Sequence, residues 1–221
     1  MKRSDIEIMA PAGSYESLHA AIDAGANSVY FGVGRLNMRA QSAANFTLED
    51  MGQIVSIARE HGVKSYLTVN TVIYDEEIET LHATIDRACE VGVDAIIAEG
   101  TESGGHVGEM TTMALVPQVI DAVSVPVVAA GGIADGRQAA AAFALGACGI
   151  QVGTCLLASE ECPIHVNYKQ AVLKAGANDT TVTGRSTGAP VRVLKNKMAR
   201  EYLRMEKKDV PLEEMEQLTL G

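Results

Sequence analysis

One short pattern recurs along this chain: a helical segment, then a glycine, then a small or β-branched residue, and then a short strand. It occurs four times within the 221 residues, at 23–32, 60–70, 90–100 and 144–154. A glycine at such a point favours a left-handed cap that ends the helix, and each run that follows is apolar and rich in strand-forming residues. Helices that alternate with single strands predict an α/β fold built on a parallel sheet.

Two further strands fit the same rhythm, at Ile6 to Ala10 and at Pro126 to Ala130. The intervening segments are amphipathic and predict helices, with Thr47 and Asp75 as N-caps. These helices are expected at Ser14–Ala24, Leu48–Glu60, Glu76–Glu90 and Gly136–Leu145. Six parallel strands predict a TIM-type β/α barrel in which two of the ordinary eight strands are not recognisable.

Closure of the barrel is a separate question. Six strands either close on themselves or leave an open edge, and two chains could also complete one barrel. An open edge exposes unpaired backbone and tends to be covered by another chain, so a homo-oligomer is expected.

The character of the sequence changes after Thr154. Tyr168 to Ala175 predicts a helix, Thr180 to Pro190 is polar and loop-like, and Val191 to Lys208 predicts a basic amphipathic helix, so a C-terminal helical extension is expected. Between Arg185 and Lys208 there are eight Lys or Arg residues against two Glu. This charge fits a solvated helix whose cations favour its C-terminal end. It also fits a docking face for an anionic partner or a cofactor phosphate.

Composition excludes several classes of function. The net charge of −10 and the scarcity of aromatic residues, with no Trp and three Phe, argue against binding of nucleic acid. No apolar run approaches the ~18 residues that a membrane span needs, and no apolar segment typical of a signal peptide follows the charged start. The four cysteines form no C-x-x-C pair, and no metal-ligand spacing is found. A cytoplasmic protein with reduced thiols is expected.

The stretch from Asp94 to Gly108 is the first candidate for chemistry. It begins as a buried strand, Ala95 to Ala98, and then breaks into a glycine-rich loop that contains His106. Glycine lets a flat ligand approach the backbone closely, and a titratable imidazole at the carboxyl end of a barrel strand is well placed for catalysis. The alternative is a flexible surface loop with an incidental histidine.

Two later strand ends predict a phosphate cradle. Gly131 and Gly132 follow one strand, just before Asp135-Gly136 opens a helix, and Gly153 and Thr154 end the next strand. Backbone N–H groups freed at such turns, together with a helix N-terminus, bind phosphate without a basic side chain. Tight turns between strand and helix also need glycine, and this alternative stays open.

From about Ile96 onward the chain resembles the flavin-dependent enoyl-acyl-carrier-protein reductase II, within the nitronate monooxygenase-like barrels. The similar segments are A-E-G-T-E-S-G-G-H-V-G-E-M-T-T, V-P-V-V-A-A-G-G-I-A-D-G, Q-V-G-T and G-R-S-T-G-A-P-V-R-V-L-K-N-K. The resemblance implies FMN as cofactor, with its phosphate on the backbone of Gly131, Gly132, Gly153 and Thr154. It implies His106 as the catalytic histidine and further flavin contacts at Glu99, Gly104, Gly105, Gln151 and Val152.

From Ile6 to about Ala98 the chain instead resembles the collagenase-like peptidase family, some members of which act in RNA hydroxylation. The similar segments are M-A-P-A-G-S-Y-E-S-L, A-G-A-N-S-V-Y-F-G, L-N-M-R-A, N-F-T-L-E-D and Y-L-T-V-N-T. Nothing in the chain matches the cysteine-rich signature of that family. The resemblance therefore implies that the chemistry of the family is absent.

The two resemblances join at the strand before the His106 loop, which would be the fourth strand in one family and the sixth in the other. Four strands plus two give the six that are counted, so the chain resembles a recombined or engineered barrel. A single domain over 1–221 is expected, with a peptidase-like half at 1–95, a flavin-barrel half at 96–158 and an extension at 159–221. The strands that supply ring contacts in the flavin family are replaced, Cys155 stands where an arginine is common, and the tail is shorter.

Three hypotheses of function remain. The first is an FMN-dependent oxidoreductase that passes hydride from NADH or NADPH to an enoyl thioester, either a small molecule or one linked to acyl carrier protein, with His106 as proton donor or orienting group. The second is a barrel that binds FMN, or only phosphate, without turnover. The third is a peptidase or hydroxylation-related activity of the amino-terminal half.

Overall fold

The computed structural model describes residues 7–34, 46–69, 78–208 and 210–219. Up to residue 151 strands and helices alternate, apart from one two-residue strand in the loop after β4. In chain order the elements are β1 (Met9–Pro11), α1 (Tyr15–Asp23), β2 (Ser28–Phe31), α2 (Asp50–Glu60), β3 (Lys64–Val69), α3 (Ile78–Val91), β4 (Ala95–Glu99), β5 (Gly105–His106), α4 (Thr112–Ala122), β6 (Val127–Ala130), α5 (Gly136–Ala144) and β7 (Gly149–Gln151).

A second group of elements follows. It comprises a 3-10 helix (Thr154–Ala158), α6 (Val166–Lys174), β8 (Thr180–Thr183), β9 (Val191–Leu194), α7 (Lys197–Glu206) and α8 (Leu212–Gln217). No helix within the described ranges combines the length and the apolar character needed to cross a membrane.

Six parallel strands form one curled sheet in the order β1-β2-β3-β4-β6-β7. They are the six strands predicted from the sequence, and the α/β fold is confirmed. The first strand begins at Met9 rather than at Ile6, which lies outside the described residues. In the described part of the chain β1 and β7 are the two edges and do not pair with each other. The homo-oligomer stays a prediction.

The recurring glycines end their helices as predicted. Gly25, Gly62, Gly92 and Gly146 all have a positive φ, from 67° to 102°. In this left-handed conformation a side chain would be strained, so the helix ends there, and the next strand starts two or three residues after the glycine. The glycines therefore set the spacing of the strands in the sheet.

The helix starts are also explained by the sequence. Ser14 and Asp135 both form capping boxes, at α1 and α5 respectively. Thr47 accepts a hydrogen bond from the backbone of Asp50, whose carboxylate accepts in return from the backbone of Thr47 at 2.8 Å. The N-cap predicted at Thr47 is wrong by two residues, because α2 begins at Asp50 and Glu49 is its N-cap, although Thr47 still bonds the first turn of the helix. Asp75 lies outside the described residues.

Each strand divides its side chains between two faces. The face toward the helices carries two hydrophobic clusters, one around Leu67 of β3 and the other around Ala98 of β4. The opposite, curled face carries a third and smaller cluster, to which Tyr66, Ile97 and Ala130 belong. Two residues of this third cluster, Tyr30 and Ala130, line the candidate site.

The extension after Thr154 differs from its prediction. The loop expected at Thr180 to Pro190 is correct for residues 184–190 but wrong for Thr180–Thr183, and the first part of the helix expected at Val191 to Lys208 is wrong, because β8 and β9 form an antiparallel hairpin. T-T-V-T and V-R-V-L are β-forming sequences, and their cross-strand partners favour a strand over an isolated basic helix. The helix begins only at Lys197, after Asn196 caps it by accepting from the backbone of Ala199 at 2.7 Å.

Candidate functional site

A cleft of about 710 Å³ lies at the carboxyl ends of the sheet strands. Its walls come from the ends of β2, β3, β4, β6 and β7, from α6 and from the hairpin of β8 and β9. This volume falls in the range of roughly 300–1,000 Å³ that is typical of small-molecule sites. The carboxyl end of the strands is also where β/α barrels keep their active sites.

The structure brings all but one of the predicted site residues together. Nine of them line the cleft, namely Glu99, Gly104, Gly105, His106, Gly131, Gly132, Gln151, Gly153 and Thr154. Val152 instead packs against the hydrophobic cluster between the sheet and the helices. Successive residues of an extended segment point to opposite sides, so Gln151 faces the cleft while Val152 faces the core.

The turn after β6 brings the backbone close to other parts of the chain. Gly131 has a φ of 101°, and a Cβ there would lie 2.7 Å from the carbonyl oxygen of Gly100 and 2.9 Å from Oγ1 of Thr112. Gly132 has a φ of 70°, and its Cβ would lie 2.8 Å from Cβ of Glu102. Both positions therefore require glycine, so this part of the cleft is lined by backbone.

The turn after β7 offers backbone donors. The N–H groups of Gly153 and Thr154, like that of Gly132, have no acceptor among the described residues. A Cβ at Gly153 would meet nothing within 4 Å, whereas one at Gly104 would lie 2.9 Å from Oγ1 of Thr154. The turns after β6 and β7 thus line one cleft and carry backbone donors without a protein acceptor among the described residues, which suits an anion.

The helix N-termini beside this cleft are already occupied by carboxylates, which corrects one part of the sequence prediction. Asp135 accepts from the backbone N–H groups of Arg137 and Gln138 at the start of α5. Glu102 accepts from the backbone and the hydroxyl of Thr112 at the start of α4, both at 2.9 Å. An anion in the cleft would therefore bind the turn N–H groups rather than the end of α5.

Asp135 is anionic at neutral pH. The Arg137 guanidinium, and then the backbone N–H groups of Gln138 and Arg137, lower the pKa of its carboxyl group. This charge reinforces the cap on α5 and disfavours a phosphate directly at that helix end.

The His106 loop is held by the extension. Gly105 and His106 form β5, which pairs antiparallel with Arg192 and Val191 of β9. The backbone N–H of Val107 also donates to the carbonyl of Pro190 at 3.0 Å. Gly105 has a φ of 86°, and His106 is exposed at the cleft. The hairpin thus fixes the loop that presents the histidine.

Arg192 is a cleft residue that the sequence analysis did not single out. Its Nε donates to the carbonyl oxygen of Thr101 at 3.0 Å, and its Nη1 donates to Oγ1 of Thr180 at 3.2 Å. These bonds tie a half-buried cation to the loop that carries His106. The excess of basic residues after Arg185 indicated that a cation could lie in this region. Because a helix was expected there instead of β9, the sequence did not indicate that Arg192 is the basic residue at the cleft.

The amino-terminal half contributes side chains that were also missed. Tyr30 of β2 and Thr68 of β3 line the cleft. Oγ1 of Thr68 and Oγ of Ser103 are buried and have no hydrogen-bond partner among the described residues. Buried hydroxyls without a partner are uncommon in proteins and call for an explanation. Among the residues described, no group of three or more His, Cys, Asp or Glu side chains could hold a metal ion.

Comparison with protein families gives two matches that divide the chain. The sequence model described as "Nitronate monooxygenase" matches residues 72–221, about two thirds of the chain. The model described as "Peptidase family U32" matches residues 13–103. The two matches overlap over 72–103, a range that includes β4. This is the strand at which the two sequence resemblances join.

Individual proteins are similar to half of the chain or to most of it. A collagenase of Porphyromonas gingivalis is 57% identical over 110 residues, which are 50% of this chain and 27% of that protein. The structure of FabK from Thermotoga maritima is 36% identical with a TM-score of 0.68, covering 91% of this chain and 58% of that one. Nitroalkane oxidase from Streptomyces ansochromogenes is 30% identical with a TM-score of 0.61, covering 88% of this chain and 51% of that one. The chain spans 27% to 33% of the length of the first curated relatives that it matches.

Proposed function

Because this chain belongs to the nitronate monooxygenase family, we propose that it is an FMN-dependent oxidoreductase. The observation that carries the proposal is the pair of backbone turns after β6 and β7, which line one cleft and whose N–H groups at Gly132, Gly153 and Thr154 have no acceptor among the described residues. The proposed reaction is the reduction of an enoyl thioester, free or linked to acyl carrier protein, with NADH or NADPH as the source of reducing equivalents. FMN, when bound, supplies the hydride chemistry that amino-acid side chains lack.

The residues of the cleft fit FMN on three counts. Backbone donors at Gly132, Gly153 and Thr154 suit its phosphate. Gly131 and Gly132 have no Cβ, and one at either position would collide with neighbouring atoms. A ligand can therefore approach the backbone closely on this side of the cleft. Polar groups of the cleft, among them the hydroxyls of Thr68 and Ser103, lack protein partners in the described residues and suit a ligand with several polar atoms.

In this proposal the chain itself binds, positions and moves a proton. Arg192 holds the His106 loop through the carbonyl of Thr101, and β9 holds it through backbone pairing. His106 then donates a proton to the carbon next to the thioester carbonyl, where negative charge develops during reduction. An imidazole is suited to this role because it titrates near neutral pH.

A second candidate is a barrel that binds FMN or phosphate without turnover. It is favoured by the unpaired edges of β1 and β7 in the described part of the chain, because the cleft lies on an open sheet rather than in a closed barrel. The similarity of the first half to a collagenase keeps a third candidate, a peptidase or hydroxylation-related activity. Colour separates the third from the other two, since a flavoprotein is yellow.

The test begins with an absorption spectrum of the purified protein and a titration with FMN. The proposal expects a bound flavin spectrum that bleaches on addition of NADH or NADPH without oxygen. Binding without bleaching would support the second candidate, and no binding at millimolar FMN would contradict the proposal and leave the second candidate only in its phosphate-binding form.

Gly153→Val provides the first variant for this titration. Its side chain would extend into open space, although φ of −126° and ψ of −75° lie outside the regular helical and strand regions, so some backbone strain is expected. We expect FMN binding to be abolished because the side chain fills the place of the phosphate, and the melting temperature is measured to show that the variant remains folded.

Gly136→Val is the matched control. It also enters open space, but it lies at the start of α5 outside the cleft, so FMN affinity should not change. Unchanged FMN affinity in Gly153→Val would show that the phosphate assignment is wrong.

A further inference from the structure

Thr68 occupies an unusual position on β3. Lys64, Tyr66 and Thr68 alternate along the strand on the curled face of the sheet, and Thr68 is the one at the cleft. Thr68 is only 7% exposed, and its Oγ1 has no hydrogen-bond partner among the described residues. A hydroxyl in this state costs stability unless something else supplies its partner.

Thr84 is a similarly buried threonine whose hydroxyl does have a hydrogen-bond partner within the protein. It is 4% exposed, lies on α3, and its Oγ1 donates to the backbone carbonyl of Thr80 at 2.8 Å. The local backbone therefore explains the burial of Thr84. No such local acceptor serves Thr68, which lines the cleft.

The place of Thr68 in the sheet sets which part of a ligand it could reach. In the order β3-β4-β6-β7, Thr68 is two strands from the turn at Gly132 and three from the turn at Gly153. At ~4.8 Å per strand these separations are roughly 10–14 Å. A phosphate bound at the turns would thus leave Thr68 beside the opposite, aromatic end of a mononucleotide.

We propose that the hydroxyl of Thr68 hydrogen-bonds a polar edge atom of the flavin ring, so that the peptidase-like half supplies a ring contact of the FMN site. The inference rests on the proposed function and deepens it. Thr68 lies outside residues 72–221, the part that matches the nitronate monooxygenase model. A hydroxyl can donate to a ring carbonyl or nitrogen and can accept from a ring N–H, so it suits either kind of edge atom.

The experiment compares Thr68→Val and Thr68→Ser with the parent protein. Valine keeps the shape of threonine and removes the hydroxyl, whereas serine keeps the hydroxyl. Dissociation constants are measured for FMN and for riboflavin, which has the same ring and no phosphate. Thr68→Val should weaken both ligands about three- to tenfold, the range expected for a neutral hydrogen bond, and Thr68→Ser should recover most of the affinity.

The melting temperature of the ligand-free protein separates a ligand contact from a structural role. Replacing a hydroxyl that has no protein partner by a methyl group should leave this temperature unchanged or raise it. The matched variant Thr84→Val should leave both flavin affinities unchanged.

Each result has a defined meaning. If the parent binds FMN and Thr68→Val binds both flavins as tightly, the inference is overturned and the proposed function stands. A fall in affinity for FMN alone would place the contact at the phosphate and overturn the ring assignment. If Thr68→Val lowers the melting temperature of the ligand-free protein by several degrees, the hydroxyl has a structural role and the inference fails. Absence of binding of either flavin by the parent overturns the proposed function and this inference together.

Discussion

At the end of the sheet where the strands begin, Glu7 pairs with two side chains of β3, although the buried hydroxyl of Ser28 on β2 has no hydrogen-bond partner there among the described residues; at the end where the strands finish, two hydroxyls of the cleft lack a partner. Glu7, just before β1, accepts hydrogen bonds from Lys64 at 2.7 Å and from the hydroxyl of Tyr66. At the other end, the hydroxyls of Thr68 and Ser103 have no partner within the described residues. On β3, Lys64 and Tyr66 thus have a protein partner, whereas the hydroxyl of Thr68 near the other end of the strand has none among the described residues.

The difference between the two ends separates stability from function. Buried polar groups that are satisfied within the protein stabilise the fold, and groups left unsatisfied cost stability unless a ligand binds them. In β/α barrels the amino-terminal face of the strands serves stability and the carboxyl-terminal face carries the active site. Substitutions at the first end should therefore change unfolding, and substitutions at the second should change binding or turnover.

The largest expected effect lies at the carboxyl-terminal face. If the protein reduces an enoyl thioester, His106→Ala should lower kcat about 10²–10⁴-fold, because it removes the proposed proton donor. FMN affinity and melting temperature should change little, since His106 is exposed and the backbone pairing of β5 with β9 does not need the imidazole. Steady-state kinetics with NADH or NADPH, together with a flavin titration, would measure both.

A second histidine variant controls for general effects. His82 is exposed on α3 and lies away from the cleft, so His82→Ala should leave the rate unchanged. Equal rates for His106→Ala and the parent would make the histidine structural. Absence of turnover in the parent would instead favour binding without catalysis.

The next effect in size belongs to the amino-terminal end. Tyr66 is 8% exposed and donates to a carboxylate, a bond that typically contributes about 1.5–3 kcal/mol. Tyr66→Phe should lower the free energy of unfolding by about this amount, measured by urea denaturation, with no change in FMN affinity.

A double-variant cycle with Glu7→Ala, which removes the acceptor, would attribute the loss to this hydrogen bond. If the two side chains act through it, the double variant should lose less than the sum of the single variants. Strict additivity would mean that the loss in Tyr66→Phe does not come from the bond to Glu7.

Much of the fold follows from local sequence. The glycine after each helix predicts a left-handed cap, and the positive φ of Gly25, Gly62, Gly92 and Gly146 confirms it. The hairpin of β8 and β9 was missed because its evidence is not local. Gly105 pairs with Arg192, far along the chain, and V-R-V-L followed by basic residues also fits the start of an amphipathic helix.

Only part of the candidate site could be predicted, because only part of it is marked by local sequence patterns. Glycine turns and the His106 loop carry local signals, and the structure places them around one cleft. The alternation of Lys64, Tyr66 and Thr68 does show in the sequence that polar side chains share one face of β3. The hydroxyl of Tyr66 has a partner in Glu7, whereas the hydroxyl of Thr68 has no protein partner among the described residues. This difference depends on which strands lie beside β3. This information is tertiary, and periodicity alone does not contain it.

The smallest expected effect is the response of the amino-terminal end to acid. Partial burial raises the pKa of Glu7, but hydrogen bonds from Lys64 and Tyr66 outweigh it, so the pKa is lowered overall. A carboxyl group whose pKa is lower in the folded protein stabilises the fold above its unfolded value of about 4.3, and this contribution is lost as the pH falls through the lower, folded value.

Comparison of the parent with Glu7→Gln from pH 7 to pH 3 separates the contribution of Glu7 from that of the other carboxylates. The parent should be more stable at pH 7 by less than about 1 kcal/mol, because Glu7 and Lys64 are partly exposed. The two unfolding free energies should converge below about pH 4, whereas a constant difference across this range would show that the charge of Glu7 does not contribute to stability.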